Sequence, residues 1–202
     1  MRPTGSGPRS DIVPRAGETG ALARLSAALE NGAALARRFA AARRESAPVA
    51  PSFGLYLGLL TYGLAATEKA RLAAFLHLDK RREQLLGDMT ALSDKLPALS
   101  RPGLSPYQVY RECRGLSPEA IQAFGIAAEN ETVSAYLRLY LDKLRYVTTR
   151  LNGDDLKNMG LAAGPRMKEV LERLLQARLD GEIIQRQEEE TLARRLVAEE
   201  NA

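Results

Sequence analysis

One stretch of this chain is built to receive a charged ligand: Gly164-Pro165-Arg166-Met167-Lys168. Proline at a first helical position sacrifices no intrahelical hydrogen bond, so Gly164-Pro165 reads as a helix start. The open amides at Arg166 and Met167, flanked by the Arg166 and Lys168 cations, suit a phosphate. A helix-turn-helix that packs and binds nothing has the same pattern. Elsewhere the chemistry is thin. His77 is the only histidine, so no zinc site can be assembled around a second one, and its place between Leu76 and Leu78 suits packing or a helix boundary. Cys113 has no candidate base beside it in sequence. Phosphoryl or nucleotidyl transfer needs carboxylates gathered around Mg²⁺. The chain has no Asp-x-Asp pair on a strand, and Asp154-Asp155 stands in a turn at a helix start, where capping accounts for it. No glycine-rich nucleotide loop of either common kind occurs. These residues make no self-sufficient active site.

The elements around that seat are legible. Asn152-Gly153-Asp154-Asp155-Leu156 is a turn leading into a short helix that Gly160 closes, and Leu161-Ala162-Ala163-Gly164 joins it at a sharp angle to the next helix. There Met167, Val170, Leu171, Leu174, Leu175, Arg178 and Leu179 recur at helical spacing until Asp180-Gly181 stops them. The last helix, Gln185 to Glu199, reads as exposed and charged.

Upstream, residues 1–17 form a Pro-, Gly- and Ser-rich disordered lead-in. A helix starts at Glu18, pauses at Asn31-Gly32, and resumes from Ala33 to Glu45 with Arg37, Arg38, Arg43 and Arg44 as either a solvated or an RNA-facing patch. Phe53–Leu64 is apolar nearly all round and should be a central buried helix, with Gly54, Gly58 and Gly63 allowing close approach. Thr67 is expected to cap a helix whose apolar side is Leu72, Phe75, Leu76 and Leu78. Asp79 caps the next, with Lys80-Arg81-Arg82 set against the helix dipole and Leu85, Leu86, Met89, Leu92 and Leu96 facing in. Gly103-Leu-Ser-Pro and Gly115-Leu-Ser-Pro each place a serine cap and a first-position proline, predicting helices over 106–113 and 118–128. Glu131 to Val147 is a longer helix facing in through Val133, Leu137, Tyr140, Leu141, Leu144 and Val147.

The architecture expected is all-α: about ten short-to-medium helices in an antiparallel bundle or solenoid-like stack. Its parts are the lead-in over 1–17, a helical body over 18–100, connecting helices over 101–150 and a tail over 151–202. Composition agrees, with 45% hydrophobic but only 5% aromatic residues and no tryptophan, a mixture that disfavours strands. A net charge of +4 tilts toward a polyanionic partner. A lone cysteine, no secretory signal and no apolar run of membrane length imply a cytoplasmic protein without a membrane span.

The motif Leu151-Asn-Gly-Asp-Asp-Leu-x-x-x-Gly-Leu-x-x-Gly-Pro-x-Met-x-x-Val-Leu, followed by Leu179-Asp180-Gly181-Glu182, resembles the C-terminal signature of bacterial class II tRNA nucleotidyltransferases. These are the CCA-adding and A-adding enzymes related to poly(A) polymerases. Leu104-Ser-Pro-Tyr-Gln-Val-Tyr-Arg-x-x-Arg-Gly-Leu-Ser-Pro-Glu-Ala resembles the helix pair before that signature, and Leu55-Tyr-Leu-Gly-Leu-Leu an apolar helix further upstream. The resemblance runs from about Gly20 to Leu196 and covers the body and tail of a four-part enzyme, which in the family grip tRNA by its phosphates and shape. The family's catalytic sheet domain, with its metal-binding Asp pair, and the neck motif that selects CTP or ATP have no counterpart in these residues.

The resemblance therefore implies a non-catalytic, tRNA-binding part of an enzyme of tRNA 3′-end maturation. Mg²⁺ and CTP or ATP would belong to a head domain, and a separate nucleotidyltransferase head chain is one way to supply it. Gly164, Pro165, Arg166 and Lys168 would hold RNA phosphate, with Arg150, Arg145, Lys157 and Arg173 flanking. Tyr136, Tyr140, Tyr107 and Tyr110 could stack on bases, although the last three also fall in apolar stripes. The alternative is a helical protein–protein interaction module with no RNA role, docking through an exposed Phe53–Leu64 face.

Overall fold

The computed structural model describes residues 32–198. The expected lead-in and the helix from Glu18 lie outside them. Within them the chain is all-α, with ten α-helices, one 3-10 turn and no strand among the described residues. In order these are α1 (Gly32–Ser46), α2 (Phe53–Thr61), α3 (Ala66–Phe75), α4 (Lys80–Leu99), α5 (Pro106–Cys113), α6 (Pro118–Ala127), α7 (Glu131–Asp142), the 3-10 turn Leu144–Tyr146, α8 (Gly153–Asn158), α9 (Pro165–Leu179) and α10 (Arg186–Ala198).

The described residues form two compact units: 32–100 with 115–137, and 101–114 with 138–198. This grouping differs from the consecutive segments 18–100, 101–150 and 151–202, because α5 and α6, neighbours in sequence, pack into different cores. Their twin Gly-Leu-Ser-Pro starts share local chemistry but not location.

In the first unit α2 is the centre, with Leu55, Leu57 and Leu59 buried. Ser52 caps it by accepting from the Leu55 amide at 3.1 Å and donates to Glu119 of α6 at 2.6 Å. A β-carbon on Gly58 would lie 2.6 Å from that of Ala123 in α6, so this glycine is what lets the two helices touch. Gly54 makes a similar approach to Glu119, whereas Gly63 meets nothing within 4 Å. Burial of this helix removes the exposed Phe53–Leu64 docking face that the protein-interaction alternative needed; only Phe53 is exposed at its start, beneath the Arg82 guanidinium.

Several local expectations change. Ala65, not Thr67, is the N-cap residue of α3, and Glu68 reaches back to its amide at 2.9 Å. α3 buries Leu72 and Ala73 but leaves Phe75 and Leu76 exposed, and in their place Lys69 is 3% exposed. The helix leans on α4 through a face rotated from the one the leucines suggested. His77 marks a boundary, exposed and left-handed (φ 49°) past the end of α3. Asp79 caps α4 as expected, and its carboxylate also pairs with Arg82, offsetting part of the basic first turn. Ser105 caps α5 through its hydroxyl, whereas Ser117, the N-cap residue of α6, makes no capping bond with its side chain. Asp88 of α4, 3% exposed, accepts from the Ser117 amide at 2.8 Å, and the Ser117 hydroxyl is buried without a partner among the described residues. α7 is shorter than expected, ending at Asp142 before the 3-10 turn.

Burial pushes the Lys69 ammonium below the ordinary lysine range, with Asp94 opposing it. A depressed lysine pKa means that the charged form is the one folding penalises. Lys69→Met should therefore stabilise the protein by about 1 kcal/mol at neutral pH. The gain should shrink as pH rises toward the unfolded lysine value of about 10.4 and the wild-type amine sheds its charge. Urea unfolding at pH 7 and at pH 10 checks both; equal gains at the two pH values would contradict the assignment.

The second unit holds the predicted phosphate seat. Leu151, Leu156, Leu161, Val170, Leu174, Ala193 and Val197 form its main core, drawn from α8, α9, α10 and the residues beside them. α10 was expected to be exposed, yet it buries Ala193, Val197 and Glu189, the last completely. The Glu189 carboxylate accepts from the amides of Arg150 (2.9 Å) and Leu151 (3.0 Å) and from Arg178 Nη1 at 3.2 Å. Nearby, Tyr107 donates to Glu172 at 2.9 Å and Arg114 pairs with the same carboxylate at 3.1 Å, tying α5 to α9.

Candidate nucleic-acid interface

The local chemistry of residues 151–181 folds as their types dictate. Asn152 accepts from the amides of Asp154 and Asp155, and Asp155 accepts in return from the Asn152 amide at 2.9 Å, closing a capping box at the start of α8. The acidic pair is spent in this way: Asp154 also holds Lys157 at 2.8 Å and Asp155 holds Arg186 at 3.4 Å. Lys157 accordingly keeps the Asp154 carboxyl below the usual range. Gly160 ends α8 in the left-handed region (φ 94°). Gly153 faces Met167, whose sulfur would lie 3.0 Å from an added β-carbon, so the start of α8 rests on the first turn of α9. At the far end Asp180 and a left-handed Gly181 terminate α9, with the Glu182 amide returning to the Ala177 carbonyl at 2.8 Å.

Gly164 is the N-cap residue of α9, in extended backbone and with no side chain to satisfy the turn, and Pro165 is its first residue. No acidic residue lies in the first turn. Arg166 pairs with Glu169 at 2.9 Å. Lys168 is exposed and makes no ion pair among the described residues. Two residues apart on a helix, Arg166 and Lys168 leave opposite sides of it and flank the N-terminus instead of converging. Arg173, seven residues beyond Arg166, shares its face and is hydrogen-bonded to Gln176 at 3.0 Å. Lys157 is tied to Asp154. Arg150 is exposed while its amide is held by Glu189. Arg145 lies over the ring of Tyr146, its Cζ 4.5 Å from the centroid.

The eight predicted residues thus all belong to the second unit, with unequal freedom. Among the described residues Lys168 and Arg150 carry unpaired charge, while Arg166 and Lys157 must exchange a neighbouring carboxylate for any ligand. On the first unit, Arg37, Arg38 and Arg44 line a hollow of about 480 Å³ with Glu129, and Arg38 sits 5.0 Å from the Tyr62 ring centroid.

The tyrosines sort differently from their sequence pattern. Tyr140 is 7% exposed and packs beside Tyr110 with ring centroids 6.0 Å apart, Tyr107 is engaged with Glu172, and Tyr136 is half-buried. The exposed tyrosine is Tyr146, at 64%. Its position inside the helix expected to run through Val147 concealed it, and the early end of α7 releases it.

Among the described residues, no group of three or more His, Cys, Asp or Glu side chains is placed to hold a metal ion, and no helix is long and apolar enough to cross a membrane. No family model matches the chain, and no solved structure matches it. The A-adding tRNA nucleotidyltransferase of Geobacter sulfurreducens is 39% identical to it over 114 residues, which make up 56% of this chain and 12% of that enzyme's length. Through those residues the chain is related to a tRNA nucleotidyltransferase.

Proposed function

We propose that this chain is the tRNA-binding body and tail part of a class II tRNA nucleotidyltransferase and holds tRNA through its phosphates. The observation that carries the reading is the likeness to an A-adding tRNA nucleotidyltransferase, joined to an α9 start that has no acidic first-turn residue and no side-chain cap. A helix N-terminus of this kind favours anions through its amides and dipole. Lys168 and Arg150 add positive charge in the same unit, and Arg145, Arg166, Lys157 and Arg173 flank them. The nucleotidyl transfer itself, with its Mg²⁺ and CTP or ATP, belongs in this reading to a head domain, either in the same longer protein or in a separate chain.

Salt dependence tests the reading. The affinity of the full chain for tRNA should fall with salt on a log–log line. Removing one phosphate-binding cation should flatten that slope by about 0.7–0.9. Arg166→Ala/Lys168→Ala is expected to flatten it by up to twice that amount. A slope identical to wild type would remove the α9 start from the interface, and no measurable tRNA binding by wild type would end the proposal.

A further inference from the structure

We propose that Tyr146 is a stacking platform for an unpaired base of bound RNA; this rests on the RNA-binding reading above. The 3-10 turn Leu144–Tyr146 is anchored by buried Leu144 and held by bonds from the Tyr146 amide to the Lys143 carbonyl (3.1 Å) and from the Val147 amide to the Leu144 carbonyl (3.0 Å). Backbone fixed in this way presents the Tyr146 ring to solvent, 64% exposed, instead of letting it fold onto the core. The Arg145 guanidinium lies over one face and hydrogen-bonds the hydroxyl of Tyr146, which sets the ring orientation and leaves the opposite face for a ligand.

The surroundings select the ligand class. Lys143 and Arg150 are exposed and make no ion pair among the described residues, and between residues 142 and 150 the only acidic residue is Asp142. Exposed Phe53 makes a useful contrast, because the cation over its ring, Arg82, is already neutralised by Asp79. A flat aromatic face backed by one cation, with two more beside it in sequence, matches a nucleotide: base on the ring, phosphates on Lys143, Arg145 and Arg150. Bases paired in a helix keep their faces covered, so the occupant is a single-stranded or looped-out nucleotide.

The chain contains no tryptophan, so Tyr146→Trp places a single tryptophan, excited selectively over tyrosine, at the site. Full-length wild type, Tyr146→Ala, Tyr146→Phe and Tyr146→Trp are titrated with a single-stranded oligoadenylate, a blunt RNA duplex and tRNA. Tyr146→Ala should weaken oligoadenylate binding by about 5- to 150-fold, the loss expected for one stacked base. Tyr146→Phe should bind as wild type, since it keeps the ring. Tyr146→Trp emission should be quenched by oligoadenylate and much less by the duplex. An unchanged affinity for Tyr146→Ala, or unquenched tryptophan at saturating oligoadenylate, overturns the proposal. If wild type binds tRNA while Tyr146→Ala loses nothing, the stacking site alone is wrong; if wild type binds no RNA, both readings fall.

Discussion

Glu189→Ala should destabilise the second unit by about 3–5 kcal/mol, the range found when one partner of a buried ion pair is removed. Three donors converge on this carboxylate, which is 0% exposed: the amides of Arg150 and Leu151 and the Arg178 guanidinium. Alanine strips all three at once. The Arg178 side chain is only 17% exposed, so water replaces its missing acceptor poorly. Because the chain forms two compact units, native-state hydrogen exchange at the Leu151 amide is the appropriate readout, together with the urea midpoint. Glu189→Gln keeps an acceptor but not the charge and should cost about 1–3 kcal/mol. Replacing the pair, Glu189→Leu/Arg178→Met, should recover a large part of the alanine deficit, because apolar substitutes need no acceptor. A shift below about 1 kcal/mol for Glu189→Ala would show that the carboxylate does not hold the segment before α8. It would also show that the bond from the Arg150 amide to Glu189 contributes little.

Gly58→Ala should destabilise the first unit by about 1–3 kcal/mol even though alanine is the better helix former. The new β-carbon would stand 2.6 Å from the Ala123 β-carbon, and neither atom can rotate away, so α2 or α6 must shift as a body. At Gly54 the nearest atom is the end of the Glu119 side chain, which can swing aside, so Gly54→Ala should cost less. Gly87 provides the control. It lies exposed within α4 with nothing within 4 Å, and Gly87→Ala should stabilise by about 0.5–1 kcal/mol. Ala123→Gly in the Gly58→Ala background should restore part of the deficit by returning the space. Thermal melts followed by circular dichroism rank the four variants, and equal stability of Gly58→Ala and Gly87→Ala would contradict the close packing of α2 on α6.

Much of the fold, and the helix start proposed to hold phosphate, was legible in the chain because it is set locally. Asp79, Ser105-Pro106, Asn152, Gly160, Gly164-Pro165 and Asp180-Gly181 start or stop helices within a few residues of themselves, where capping bonds and glycine's left-handed backbone act. The apolar circumference of α2 likewise required a buried position whatever covered it. Ser117 shows the limit of that logic. Its Gly-Leu-Ser-Pro frame equals that of Ser105, although Ala120 stands where Gln108 completes the capping box of α5; a carboxylate 29 residues away takes the Ser117 amide, and its hydroxyl has no partner among the described residues.

The residues on which the new predictions rest were decided by the tertiary structure. Glu189 belongs to a run of glutamates that reads as solvated, and it becomes the buried acceptor for amides 38 and 39 residues earlier only once α10 lies across the entrance to α8. Lys69 is buried because α3 turns inward the side that carries Lys69, Leu72 and Ala73, not Phe75 and Leu76. Tyr146 fell within a helix expected to continue through Val147 until α7 ended at Asp142 and turned its ring to solvent. Caps and turns are governed by neighbours in sequence, whereas burial of a charge or exposure of a ring depends on which distant surface arrives, and that is fixed only when the helices pack.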